Sequence, residues 1–382
     1  MKSKLNFLVL AVLVLSAYCC SSKGDNTVLE VNVGEHKMFV FSYSALNSNV
    51  ATVPLSSLVE SLELVQLETK DEAYFKLWFT TVTDKYIGVR QHDGPYLLFD
   101  RSGKFLGNVG SIGRGPGEYS IVPYDDIIDD KNELIYLAPF VGNKILVYNT
   151  SGQFVKDIAA PQHLNKAKIF LSDGILTAVH FPFPNDKAIA IQFDANTGEV
   201  LKDLAPPAHL ISVSNDFGRI EIFNTRSAPG IFDLLFTGND TLYHFDVRNN
   251  KMLPFFMLKH NTSENPWKQY FQVNKDLIMT WTSGKLQATD MKNKTSSNIK
   301  IVNDFLGNMP VPMTIVQIRD GYWVHNVQPE ELIENIENRL AERGLSDADK
   351  QALDKTLAAL KVGTNNVVFI GKLKDGVKTK LW

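Results

Sequence analysis

The segment GSIGRGPGEY, residues 110–119, gathers four glycines, one proline, Arg114 and Glu118 into ten positions. Glycine amides at that density can cradle phosphate oxygens when a strand leads in and a helix N-terminus follows. Here the next residues, SIVPYDDII, carry Pro123 and the β-branched Ile121, Val122, Ile127 and Ile128, and no Gly-Lys-Ser/Thr closes a P-loop. Such residues favour extended chain. The spacing instead predicts a type II turn at Gly115-Pro116-Gly117-Glu118, with proline fixing φ at the second position and Gly117 supplying positive φ at the third. Arg114 and Glu118 flank that turn, either as contacts for a ligand or as partners of each other and of neighbouring chain.

Other chemistry-bearing residues are dispersed. Asp125, Asp126, Asp129 and Asp130 are hard oxygen donors, yet their spacing is not that of an EF-hand, and strand alternation sends Asp125 and Asp126 to opposite faces. The eight histidines form no HExxH and no close pair, so neither a metal nor any other cofactor is expected. No Gly-x-Ser-x-Gly elbow is present, and the two cysteines, Cys19 and Cys20, lie side by side near the N-terminus. Two segments rich in loop formers, HFPFPND with His180 and NTRSAPG with Arg226, complete the candidate ligand-binding set of Arg114, Glu118, His180 and Arg226. No catalytic residue can be named.

The elements that must position these residues repeat along the chain. YLLFDRSGKFLGNVG, KILVYNTSGQFVKDI, AIQFDANTGEVLKDL and TLYHFDVRNNKMLPFF each read as a strand, an Asx/Ser/Gly turn and a second strand. Aligned on Phe99, Tyr148, Phe193 and Phe245, they are 49, 45 and 52 residues apart. A weaker copy, LQATDMKNKTSSNIKI, aligns at Thr289, and a last one, NVVFIGKLKDGVKTK, at Phe369. Before each copy lie two further extended segments, as DDIIDDKNELIYLAP precedes KILVYNTSG, so each unit holds about four strands. That count and period mark propeller blades. Between the last two copies, residues 328–362 read as two helices: Leu332, Ile333, Ile336 and Leu340 recur at helical spacing, Gly344 is a stop, and Ser346 with Asp349 opens a second helix through Leu353, Leu357 and Leu360. The expected fold is all-β, a six-bladed β-propeller with a helical hairpin inserted in the last blade. One of the early segments HKMFVFSYS and SLELVQLE is expected to complete blade six and close the ring.

The N-terminus has Lys2 and Lys4, an apolar run over 5–17, and then the cysteines and a polar stretch. It reads as a secretory signal over 1–19, followed by a tether over 20–30 and the propeller over 31–382. A small residue before Cys20 resembles a bacterial lipobox, making Cys20 the expected lipidated residue. The chain is 44% hydrophobic and 21% charged, enough apolar content for a large core. Formal charge is −3, or −5 without the leader's two lysines, which argues against nucleic acid as a partner.

Taken together, the lipobox-like leader, PLSSLVESLELVQLET, FDRSGKFLGNVGSIGRGPGEY, GNDTLYHFD and NNVVFIGKLK resemble the six-bladed, NHL-like β-propeller lipoproteins of Bacteroidetes-type bacteria. The resemblance implies a propeller held by a lipid anchor at the outer membrane, with the surface of the cell as one placement. It implies no activity, because fold alone does not determine function. Three classes follow: a binding module for a small ligand, glycan or peptide at the channel mouth; a hydrolase or lyase with an axial polar or metal site; and a scaffold for an envelope protein, docked through the helical insert. Binding is the first expectation and catalysis the alternative.

Overall fold

The computed structural model describes residues 28–376 apart from 44–45, 47–48, 76–78, 212–219, 228–229, 260–265 and 314–315. Cys20 and the end of the last repeat therefore lie outside the described residues.

Six antiparallel four-stranded blades follow one another around an axis. Counting strands from the axis outward, blade one is Phe79–Val82, Tyr86–Arg90, Tyr96–Asp100 and Phe105–Val109. Blade two is Asp125–Asp129, Leu134–Ala138, Val141–Asn149 and Phe154–Asn165; blade three is Lys168–Ser172, Ile175–Val179, Ala190–Asp194 and Val200–Leu204. Blade four is Ile222–Thr225, Asp233–Phe236, Thr241–Asp246 and Lys251–Lys259; blade five is Lys268–Asn274, Leu277–Thr282, Lys285–Asp290 and Thr295–Asn303. Blade six takes its inner three strands, Val316–Arg319, Tyr322–Val327 and Val367–Leu373, from the end of the chain.

The aligned positions Phe99, Tyr148, Phe193, Phe245, Thr289 and Phe369 all fall on third strands and are at most 4% exposed. This regularity is what the recurring spacing of the hairpins encodes. Each interface between neighbouring blades carries its own apolar cluster. Tyr96, Leu98, Ile135 and Tyr148 pack between blades one and two, and Ile145, Val147, Ile169 and Phe193 between two and three. The second and third strands of a blade are thus buried on both faces and alternate between two cores rather than between core and solvent, while outer strands such as Val200–Leu204 stay exposed.

The N-terminal strands β1 (Val28–Val33), β2 (His36–Ser42), β3 (Val50–Pro54) and β4 (Val59–Gln66) line the outside of three consecutive blades. β4, which holds most of SLELVQLE, pairs antiparallel with Val367–Leu373 and is the outer strand of blade six. The last repeat is therefore not a hairpin within the described residues: its outer partner comes from the opposite end of the chain. β2 joins blade four in parallel with Lys251–Lys259, and β3 joins blade five in parallel with Thr295–Asn303. β1 begins at Val28, whose side chain is buried, and pairs with β2.

Helix α1 (Pro329–Ala341) and helix α2 (Asp347–Ala359) lie between the second and third strands of blade six. Pro329 and two glutamates start α1, where a missing N–H is harmless and negative charge suits the helix dipole. The Ser346 hydroxyl accepts the Asp349 N–H at 3.1 Å to cap α2, and Gly344 has φ +88° between the helices. Leu332, Ile336, Leu353 and Leu360 are buried in the same cluster as Val53, Met279, Leu306 and Trp323 of blades five and six. The insert is part of that core as well as a hairpin packed on itself.

Candidate functional site

The glycine segment is the crossover from blade one's outer strand to blade two's inner strand. The Glu118 N–H donates to the Gly115 carbonyl at 3.1 Å and Gly117 has φ +70°, so the type II turn is present. Glu118 folds back over its own turn and accepts the Gly115 N–H at 2.6 Å and the Ser111 hydroxyl at 3.3 Å. The Tyr148 hydroxyl donates to the Gly117 carbonyl at 2.8 Å, fastening the turn to blade two. Arg114 stands exposed at the tip. Glu118 also lines a small crease of about 170 Å³ with Pro123, Phe140 and Lys144.

The crossover delivers Tyr124, Asp125 and Asp126 to the propeller axis, where they meet charged residues from five other elements. Asp125 and Asp126 do point to opposite faces of their strand. Asp125 accepts the blade-three Ile169 N–H at 2.8 Å, while Asp126 accepts Arg90 Nε at 2.7 Å and the Tyr96 hydroxyl at 2.9 Å, both from blade one. Two arginines reach in from the far ends of the inner strands of blades four and six. Arg226 donates to the carbonyls of Ile169 and Asp126 and, at 2.9 Å, to Asp320. Arg319 lies 3.0 Å from Asp125, donates to the Asp126 carbonyl, and bonds Asp320 at 3.2 Å. The backbones of Arg226 and Arg319 form a parallel bridge, so blades four and six touch across the axis.

This knot holds its carboxylates ionised. Burial opposes the charge on Asp125 and Asp126, yet Arg319, with Arg226 for Asp125 and Arg90 for Asp126, keeps both acids below the usual carboxylate range. Arg226 is the one member of the expected set that joins the axis, and its Nε is buried without a hydrogen-bond partner.

At the end of the axis from which the inner strands start, Glu221 accepts Lys166 Nζ at 2.7 Å and the Tyr124 hydroxyl. Lys168, the first residue of blade three's inner strand, places its ammonium 3.9 Å from the centre of the Tyr124 ring. Among the described residues it has no hydrogen-bond or ion-pair partner, and 7% of its surface remains accessible. Burial pulls its amine down to about 7, with Asp125 opposing and Arg90 and Arg319 adding to the shift.

His180 does not join this group. Its fully buried ring contacts the Gln162 amide at 2.7 Å and the Phe181 carbonyl at 3.2 Å, while Asp186 accepts the Phe183 N–H at 2.8 Å. These contacts brace the HFPFPND loop, and burial lowers the ring's pKa. A buried carboxylate–histidine pair, Asp233 and His244 at 2.7 Å, lies between the second and third strands of blade four rather than on the axis. Among the described residues no three His, Cys, Asp or Glu side chains converge as a metal site. Sequence reasoning missed Arg90, Lys168, Arg319 and Glu221. The signal available was a charged residue at the edge of an apolar run, as in IGVR, AKIFL and VQIR.

Comparison with known proteins places this geometry in a family. A profile described as Domain of unknown function (DUF4934) matches residues 38–372, spanning every blade. The chain belongs to that family. No curated protein sequence matches this DUF4934 chain. Among solved structures it is similar to a protein described as exported from Bacteroides fragilis, at 14% identity and a TM-score of 0.59, covering 88% of this chain and 99% of that one. A member of the DUF4221 family from Bacteroides vulgatus aligns at 12% identity and a TM-score of 0.44, covering 82% and 99%. The first likeness supports the propeller fold of this DUF4934 protein.

Proposed function

We propose that this DUF4934 propeller is an extracytoplasmic binding module, anchored to the outer membrane by a lipid on Cys20, that receives a small ligand, glycan or peptide at the axial end carrying Lys168 and Tyr124. The leader sequence and the exported relative from Bacteroides fragilis support the location. The observation that carries the binding reading is the Lys168 ammonium: buried on an aromatic ring, partly accessible, and among the described residues unpaired beside a knot in which the carboxylates are already engaged. Leaving a polar group so placed without a partner costs stability, and sites that keep such groups are built for something other than the fold.

A thermal-shift screen of glycan and peptide fragments against the mature domain and Lys168→Met tests the site. Ligands that raise the melting temperature of the parent protein and not of the variant support it; ligands that act equally on both locate binding elsewhere. Metabolic labelling with a fatty-acid analogue tests the anchor: Cys20→Ala abolishes labelling, and persistence of the label in that variant refutes the assignment.

A further inference from the structure

Counting the charges at the axis narrows what the mouth can accept. Among the described residues five cations gather there, Arg90, Arg226, Arg319, Lys166 and Lys168, against four carboxylates, Asp125, Asp126, Asp320 and Glu221. The carboxylates are committed: Asp125 to Arg319, Arg226 and the Ile169 N–H; Asp126 to Arg90 and Tyr96; Asp320 to Arg226 and Arg319; and Glu221 to Lys166 and the Tyr124 hydroxyl. The unmatched positive charge falls on Lys168, whose ammonium lies on the face of Tyr124 and, among the described residues, has no hydrogen-bond or ion-pair partner. A ring face attracts a cation but leaves its three N–H donors unsatisfied. Those donors and the single unmatched charge suit one acceptor-rich monoanion.

We propose that Lys168 receives a carboxylate of the ligand, so that the protein is a receptor for acidic rather than neutral small molecules. This deepens the binding reading above and rests on it. Phosphate monoesters carry close to two charges near neutral pH, one more than the site lacks. A carboxylate brings one charge and two oxygens, and its charge-assisted bond to an ammonium is among the stronger polar contacts. Binding is linked to protonation of Lys168, which faces Asp125, Arg90, Arg319, Glu221 and Tyr124. The free amine loses its proton near pH 7, while the bound carboxylate favours the ammonium, so affinity is full below pH 7 and falls above it.

The experiment uses the mature protein with 15Nζ-labelled lysines and two probes of nearly equal shape, glucuronate and glucuronamide. NMR follows the Lys168 resonance, assigned by its absence in Lys168→Met, and calorimetry measures affinity at pH 6 and pH 8. Glucuronate is expected to shift the Lys168 titration upward, to bind roughly tenfold more tightly than the amide, and to weaken roughly tenfold from pH 6 to pH 8. Lys168→Arg should keep the preference for the acid while losing the pH dependence, because arginine stays charged throughout. Equal binding of acid and amide, or an acid preference that survives in Lys168→Met, overturns the carboxylate assignment and leaves the binding reading standing. A Lys168 resonance unmoved by glucuronate overturns it as well. A neutral ligand found in the thermal-shift screen that depends on Lys168 overturns the preference for acids alone, whereas absence of any Lys168-dependent ligand there, with glucuronate still shifting Lys168, removes only the larger binding role.

Discussion

Replacing Arg319 with methionine should destabilise the propeller by removing the cation that lies closest to Asp125. Methionine keeps much of the length and none of the charge. Asp125 then retains the Ile169 N–H at 2.8 Å and Arg226 at 3.7 Å, and Asp320 keeps Arg226. Breaking a buried ion pair from one side typically costs about 3–5 kcal/mol, because the remaining charge stays desolvated. At about 2 °C per kcal/mol this corresponds to a fall in melting temperature of roughly 6–10 °C. The pH profile carries the sharper signature. In the parent protein Asp125 is held below its unfolded value of about 3.9, so its contribution is present above that pH and is lost as pH falls through the lower folded value. In the variant the folded carboxyl rises, so the deficit relative to the parent is largest at neutral pH and shrinks on acidification toward pH 4. Thermal unfolding followed by circular dichroism between pH 4 and pH 8 measures both quantities. A double change, Arg319→Met with Asp125→Asn, should recover part of the loss. A deficit below about 1 kcal/mol, or one independent of pH, would refute the account of the axis as an interdependent charge knot.

Two further substitutions test how the site is held in place. Gly117→Ala introduces a side chain at φ +70° with its Cβ 2.5 Å from the Phe154 ring, so it should cost more than the ~1 kcal/mol of backbone strain alone; Phe154→Ala in the same chain should relieve the ring's share of the clash but neither the 2.7 Å approach to the Phe154 Cβ nor the backbone strain, as read from denaturant midpoints. Ile336→Ala in helix α1 opens a cavity in the cluster shared with blades five and six and should cost about 2–5 kcal/mol, whereas a helical insert merely resting on the rim would yield less than about 1 kcal/mol.

Much of the architecture could be read from the chain because the third strand of each blade repeats a buried residue at similar spacing from Phe99 to Thr289, and again at Phe369 once the helical insert is set aside. The helices were legible for the same reason, with Leu332, Ile336 and Leu353 at helical spacing and Ser346 as cap. The attachment of β2 and β3 was not. Parallel pairing to a distant outer strand needs no turn, so it leaves no local pattern to recognise. The axis was harder still. Arg90, Asp125, Arg226 and Arg319 come from four different blades, and only ring closure brings them within bonding distance and sets Lys168 beside them. Of the residues expected at a site, Arg226 reaches that group, His180 is held by Gln162 of blade two's outer strand, Glu118 bonds within its own turn, and Arg114 lies at an exposed tip.

The pairing of β4 with Val367–Leu373 joins residues about three hundred positions apart. Whichever way the chain emerges, β4 is made among the first elements and its partner among the last. The ring therefore has no closed intermediate, and five blades can form while the sixth still presents an open edge. Such long-range closure predicts slow folding governed by the meeting of the two ends, and an open-ring species whose free strand edges are its route to aggregation. A chain shortened at either end of this seam would keep nearly all its blades and still lack the one contact that makes them a single cooperative body.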